Sequence, residues 1–194
     1  MNILKTLLAG LVLAASSLGA HAATYYADNV IDVNPGACTG TALGCAANDR
    51  QNVGNAVDTD SSTFYSLGFG GDITLGFPIA LFTGPQTLSV FEVTFNRGGR
   101  DDEAAEVYGV LGGIETLLGT ITNVVGENAV LASGAFEYIK LVDVTLDLFP
   151  GTSSYDGFDV GAITISAVPL PAAGVLLLAG LGGLAALRRR RNAA

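Results

Sequence analysis

The only histidine in this 194-residue chain is His21, and its position limits the chemistry open to the rest. It lies in Ala20-His21-Ala22, a small-x-small triplet that satisfies the signal-peptidase rule for a cut before Ala23; Lys5 supplies a positive n-region and Thr6 to Leu18 an apolar h-region. Removal of residues 1–22 would take away the one side chain able to act as a histidine general base or metal ligand. Ser61, Ser62, Ser153 and Ser154 then lack a histidine base for nucleophilic catalysis. The mixed-charge run Arg97-Gly98-Gly99-Arg100-Asp101-Asp102-Glu103 could form a site, but a solvated hairpin or inter-sheet loop is the favoured reading. A carboxylate pair for glycoside hydrolysis can be drawn almost at will from eighteen acids, so its presence decides nothing. No phosphate-cradling glycine loop precedes a helix. The residues give catalysis no positive support, and the chain is read as no enzyme.

Cys38 and Cys45 are the only cysteines, with six residues between them in a Gly/Thr/Ala-rich stretch. In an exported protein they are expected to form a local disulfide. Closing so short a loop stabilises by about 2 kcal/mol in the chain-entropy model, enough to pin a loop but not to create a fold. Between Ala23 and Ala167 the basic residues are Arg50, Arg97, Arg100 and Lys140, four against eighteen acids, for a formal charge of −14. Such a charge argues against nucleic acid, whose affinity comes largely from phosphate neutralisation, and is compatible with divalent cations.

The elements that must position these groups read as strands. Ile73, Leu75 and Phe77 share one face of 72–77. Within 88–95, Phe91, Val93 and Phe95 share one face while Leu88 and Val90 occupy the other, which predicts a central strand. Segments 105–111, 115–122, 136–145 and 160–166 continue the series, separated by turn signals such as Asn96-Arg97-Gly98-Gly99 and Phe149-Pro150-Gly151. No stretch of 23–167 carries a long 3.6-residue apolar period. The expected fold is an all-β antiparallel sandwich or jelly roll, large enough to bury one core.

The chain closes on a different kind of segment. Val168-Pro169-Leu170-Pro171-Ala172 leads into an apolar run, and Arg188, Arg189, Arg190 and Arg191 follow. The uncharged stretch 170–187 would span roughly 27 Å as a helix, just enough for a hydrocarbon core of about 30 Å. The arginines are expected on the cytoplasmic side of the inner membrane. This arrangement resembles the VPLPA-CTERM sorting domain, a variant of the PEP-CTERM signals of Gram-negative bacteria. The resemblance implies recognition by an exosortase, a membrane-embedded cysteine protease, after signal peptidase has acted. It further implies release or transfer from the inner membrane to the cell surface or extracellular matrix. A permanent type I anchor is the plain alternative.

A second resemblance covers most of 23–167. Asn55-Ala56-Val57-Asp58-Thr59-Asp60-Ser61-Ser62-Thr63-Phe64-Tyr65 is similar to the Asn-Ala-x-Asp-Gly-Asp-x-x-Thr-x-Trp segment of discoidin and coagulation-factor C-type domains, which share the galactose-binding-like jelly roll. Phe136 to Asp143 resembles the penultimate strand of that family and Asp156 to Ile163 its closing strand. Thr59 stands where the family has glycine, and Tyr65 where it has tryptophan. The resemblance implies a structural Ca²⁺, with Asp58, Asp60 and Thr63 supplying the loop half of the ligands and Asp156 or Asp159 the other half; hard cations need six to eight oxygens. The competing reading is that Asp58 and Asp60 cap a turn and Asp156 begins one. No cofactor is required on either reading. Sugar-binding members stack aromatics on their ligand, and the loop aromatics here are Tyr25, Tyr26, Phe69 and Tyr155.

The expected organisation is a signal peptide at 1–22, a β-sandwich ectodomain at 23–167 and a sorting segment at 168–194. The favoured function is a non-catalytic secreted or cell-surface protein, associated with exopolysaccharide or binding glycans weakly. An anchored domain binding a protein partner on the periplasmic side is the alternative, and a secreted hydrolase a distant third.

Overall fold

Ile73 and Leu75 are fully buried, while Asp72 and Thr74 beside them are half-exposed, the alternation of a strand with one face on a core. The structure, a computed structural model, describes residues 23–39, 51–60, 62–92, 101–124 and 128–167 together with Gly180 and Gly182, both helical. Contacts divide the chain into Ala23–Ala167 and a second unit of Met1–Ala22 with Val168–Ala194. The signal segment with Ala20 and Ala22, Cys45, Ser61, Arg97, Arg100, Val168 to Ala172 and Arg188 to Arg191 lie outside the described residues, as does nearly all of 170–187. Among the described residues no helix is long and apolar enough to cross a membrane. Cys38 is disulfide-bonded.

Among the described residues of Ala23–Ala167 there are eleven strands, all paired antiparallel: β1 Thr24–Tyr26, β2 Asn29–Asn34, β3 Tyr65–Ser66, β4 Asp72–Gly76, β5 Gln86–Val90, β6 Ala104–Leu111, β7 Ile114–Thr122, β8 Ala129–Ala132, β9 Tyr138–Asp143, β10 Asp159–Val160 and β11 Ile163–Ala167. One sheet runs β2-β4-β9-β6-β7, a second runs β1-β11-β5-β8, and β10 pairs with β3. The chain passes repeatedly from one sheet to the other, at β4 to β5, β5 to β6, β7 to β8 and β8 to β9. That path makes the sandwich a jelly roll. One apolar cluster fills it, with Ile73, Leu75, Val107, Ile139 and Leu141 from the five-stranded sheet meeting Leu88, Val90, Ile163 and Ile165 from the four-stranded one.

Several boundaries differ from the sequence expectation. β5 lies inside its sheet, as expected of a central strand, but it ends at Val90. Phe91 is 48% exposed and Glu92 is buried, so the inward parity of Leu88 and Val90 continues onto an acid. The segment expected to be a strand through Thr145 stops at Asp143, and Thr145–Leu148 forms a single helical turn. β1, β2, β3 and β8 were not legible as strands. β2 carries a register shift between Val30 and Asp32 that breaks its period, and β3 is only two residues long.

The end of β9 is tied down by one side chain. The buried Asp143 carboxylate accepts from Gly70 N at 3.0 Å, Phe158 N at 2.8 Å, Thr145 N at 3.3 Å and Thr145 Oγ1 at 2.6 Å. Burial pushes its pKa up and these donors pull it back. Gly157 leaves the room this requires: its φ is 70°, and a Cβ there would stand 2.8 Å from Asp143 Oδ2. Replacing Asp143 by alanine strands buried donors on Thr145 and Phe158, each costing about 1–3 kcal/mol, and frees the amide of the exposed Gly70. We expect Asp143→Ala to lower the unfolding free energy by about 3 kcal/mol in urea titrations. A loss below about 1 kcal/mol would show that water satisfies the freed amides.

Candidate functional site

Two places bring chemistry-bearing side chains together, at opposite ends of β9. At the Asp143 end, the seam between the sheets collects acids. Glu92 follows β5 and is placed by the Phe91 backbone, which donates to Ala162 O at 2.8 Å and accepts from Gly161 N at 2.7 Å. Glu103 precedes β6, and Asn123 clamps its backbone through Glu103 N to Asn123 Oδ1 at 3.1 Å and Asn123 N to Glu103 O at 3.1 Å. Asp159 opens β10, opposite Ser66 of β3. One carboxylate oxygen from each of these three buried acids lies within 4.8 Å of the others.

Hydroxyls line the same seam. Ser154 donates its hydroxyl to Glu103 Oε1 at 2.7 Å. The Ser66 hydroxyl stands 2.6 Å from Asp159 Oδ1 and 3.0 Å from Asp156 Oδ2, and its single hydrogen serves one of them at a time. Burial pushes the Glu103 carboxyl up to about 10, helped by the negative charges of Asp159, Glu92 and Asp156 and opposed by the Ser154 hydrogen bond.

The sequence-derived ligand set is divided. Asp58 Oδ1 accepts from Asp60 N at 2.9 Å and Asp58 Oδ2 from Thr63 Oγ1 at 2.8 Å, while Asp60 Oδ1 accepts from Ser62 N and its hydroxyl at 2.8 and 2.7 Å. Those contacts cap the loop, and the Ser62 hydrogen bonds hold the Asp60 pKa below its usual value. Thr59, at the family's glycine position, has φ 63°, the left-handed conformation that glycine adopts without strain. Tyr65, at the tryptophan position, is 2% exposed and belongs to the core. Asp156 and Asp159 are engaged by Ser66, and Asp159 converges with Glu92 and Glu103, which sequence reasoning did not single out as ligands. The parity of β5 was the available signal for Glu92. Glu103 sat at the end of a run read as solvated, yet it is only 5% exposed.

At the opposite end of β9, an open cleft of about 530 Å³ lies among Asp28, Asn29, Phe77, Ile79, Glu137 and Tyr138. Phe77, which lines the cleft, is joined to an aromatic cluster of the core: it meets Phe82 edge-on with centroids 5.3 Å apart, Tyr25 meets Phe82 edge-on at 6.0 Å, and Phe82 stacks on Phe136 at 5.1 Å. Of the loop aromatics, for which packing is the favoured reading over ligand contact, Phe69 is buried, Tyr25 packs on Phe82, and Tyr26 is 46% exposed. Neither Tyr26 nor Tyr155 lines the cleft; Phe77 and Tyr138 do. Phe77 shares a face with Ile73 and Leu75 as the alternation of 72–77 implies, and it packs against the core while lining the cleft.

No family model and no curated protein matches the chain. Among solved structures, a truncated AlyQ with CBM32 and alginate lyase domains is 17% identical with a TM-score of 0.46, over 77% of this chain and 35% of that one. The family 32 CBM from C. perfringens NanJ, in complex with galactose, is 14% identical with a TM-score of 0.39, over 58% of this chain and 82% of that one. A pectin binding carbohydrate binding module is 17% identical with a TM-score of 0.44, over 74% and 96%. The fold described above rests on this chain's own strand order and register.

The Glu103 environment fixes a pH trend. A carboxyl with a raised folded-state pKa contributes stability that is fully present below its unfolded value of 4.5 and is lost as pH rises toward about 10. Glu103→Gln removes that titration. In chelator-containing buffer the variant is expected to melt above the unmodified chain at pH 9 and to lose the difference near pH 4. Parallel melting curves for the two proteins across that range would exclude a buried, protonated Glu103.

Proposed function

We propose that the chain is an exported, non-catalytic module that holds a neutral polysaccharide at the surface or in the matrix of a Gram-negative cell. The observation that carries this reading is the cleft between Asp28–Asn29 and Glu137–Tyr138. Carboxylates and an amide there can engage sugar hydroxyls, while Phe77 and Tyr138 offer rings to the apolar faces of a sugar. A formal charge of −14 over 23–167 disfavours anionic polymers and leaves neutral ones.

Affinity electrophoresis in gels containing neutral or uronate-rich polysaccharides tests the cleft. The full chain is expected to be retarded by a neutral polymer, and Tyr138→Ala to lose at least about half of that retardation. Retardation by no polymer, or retardation unchanged in Tyr138→Ala, would reject the cleft as a glycan site.

Targeting belongs to the same proposal. Signal peptidase would cut before Ala23, and an exosortase would act near Val168-Pro169-Leu170-Pro171-Ala172, removing Arg188 to Arg191. Intact mass in a host with and without its exosortase checks this. A tail-less extracellular species is expected only where the enzyme is present, and an intact tail in both hosts would favour a permanent anchor.

A further inference from the structure

We propose that Glu92, Glu103 and Asp159 form a binding site for a hard divalent cation, Ca²⁺, at the seam between the two sheets. Three separate chain segments meet there: the residue pair after β5, the residue before β6, and the first residue of β10. One carboxylate oxygen from each lies within 4.8 Å of the others. Two ligands on opposite sides of one Ca²⁺ stand about 4.8 Å apart, at about 2.4 Å from the ion, so three oxygens inside that limit can share it.

A second observation points to a ligand. Glu103 Oε2 is buried and has no hydrogen-bond partner among the described residues, although Oε1 of the same group takes the Ser154 hydroxyl. A carboxylate oxygen shut away from water needs a donor or a cation. Glu103 itself is 5% exposed, and its backbone is held on both sides by Asn123. The donors are all oxygens, which suits a hard cation and not zinc or copper. Asp156, joined to Asp159 through Ser66, and the Ser154 hydroxyl add oxygens nearby toward the six to eight that Ca²⁺ takes.

This seat shares no residue with the Asp58–Thr63 loop, where Asp58 accepts from Asp60 N and the Thr63 hydroxyl and Asp60 from Ser62 N and its hydroxyl. Its role would be structural. One ion would join the end of the four-stranded sheet, the start of β6 and the β3–β10 pair.

The test uses the full chain in mild detergent, stripped with EDTA and titrated with CaCl₂ by calorimetry, with melting followed in parallel. Binding is expected with a Kd of about 10⁻⁴–10⁻³ M, the range of extracellular modules, together with a rise in melting temperature. Glu103→Gln should weaken binding about tenfold or more and abolish the calcium-dependent rise, while Asp58→Asn leaves both in place. Glu92→Gln supplies the same comparison if the first variant does not fold. The proposal fails if the chain shows no Ca²⁺ binding up to about 10 mM. It also fails if Asp58→Asn abolishes binding while Glu103→Gln binds like the unmodified chain.

Discussion

The carboxylate of Asp143 holds together the end of the sandwich at which the loops are most crowded. Four donors from three segments converge on it. Their backbones come close because glycines leave space. A Cβ on Gly68 would stand 2.6 Å from the carbonyl carbon of Gly36, and one on Gly157 would meet both Asp143 and the Gly68 carbonyl. The same contacts reach the acidic seam: Gly68 N donates to Asp156 O at 2.8 Å and Leu67 N donates to Phe158 O at 3.1 Å. The geometry of Asp156 and Asp159 therefore depends on an acid that is not part of their cluster.

Legibility in the sequence followed the physics of burial. β4, β6 and β9 each have one face on the core, and their period-two patterns located them. β7 was found despite its exposed first half, because Thr120 and Ile121 keep the alternation near its end. β2 and β3 escaped because a bulge or a two-residue length leaves no period to read. The Asp-rich loop was found by resemblance, and its internal bonding agrees with the turn-cap reading. Its glycine-position residue Thr59 keeps the left-handed backbone although its side chain is β-branched.

The converging acids were hidden for a different reason. Glu92, Glu103 and Asp159 come from distant parts of the chain, and only the crossing of β5 and β6 between sheets brings the first two beside the third. No local spacing encodes that. Phe77 does both: it continues the core alternation past the end of β4 and packs against the core, and its remaining surface lines the cleft, which no alternation encodes.

The two ends of the sandwich solve opposite problems with similar residues. At the cleft, Asp28 and Asn29 are exposed and Glu137 is half-exposed, so their polar groups stay hydrated, and the Phe77 ring is held edge-on against Phe82. At the seam, the acids have already left water, and every oxygen there must be met by the protein, a proton or an ion. β9 runs from one end to the other over six residues, about 17 Å of extended chain. It is an interior strand, paired on both sides by β4 and β6 along most of its length. A strand paired in this way fixes the Asp143 end and the Glu137–Tyr138 end at a set distance from one another.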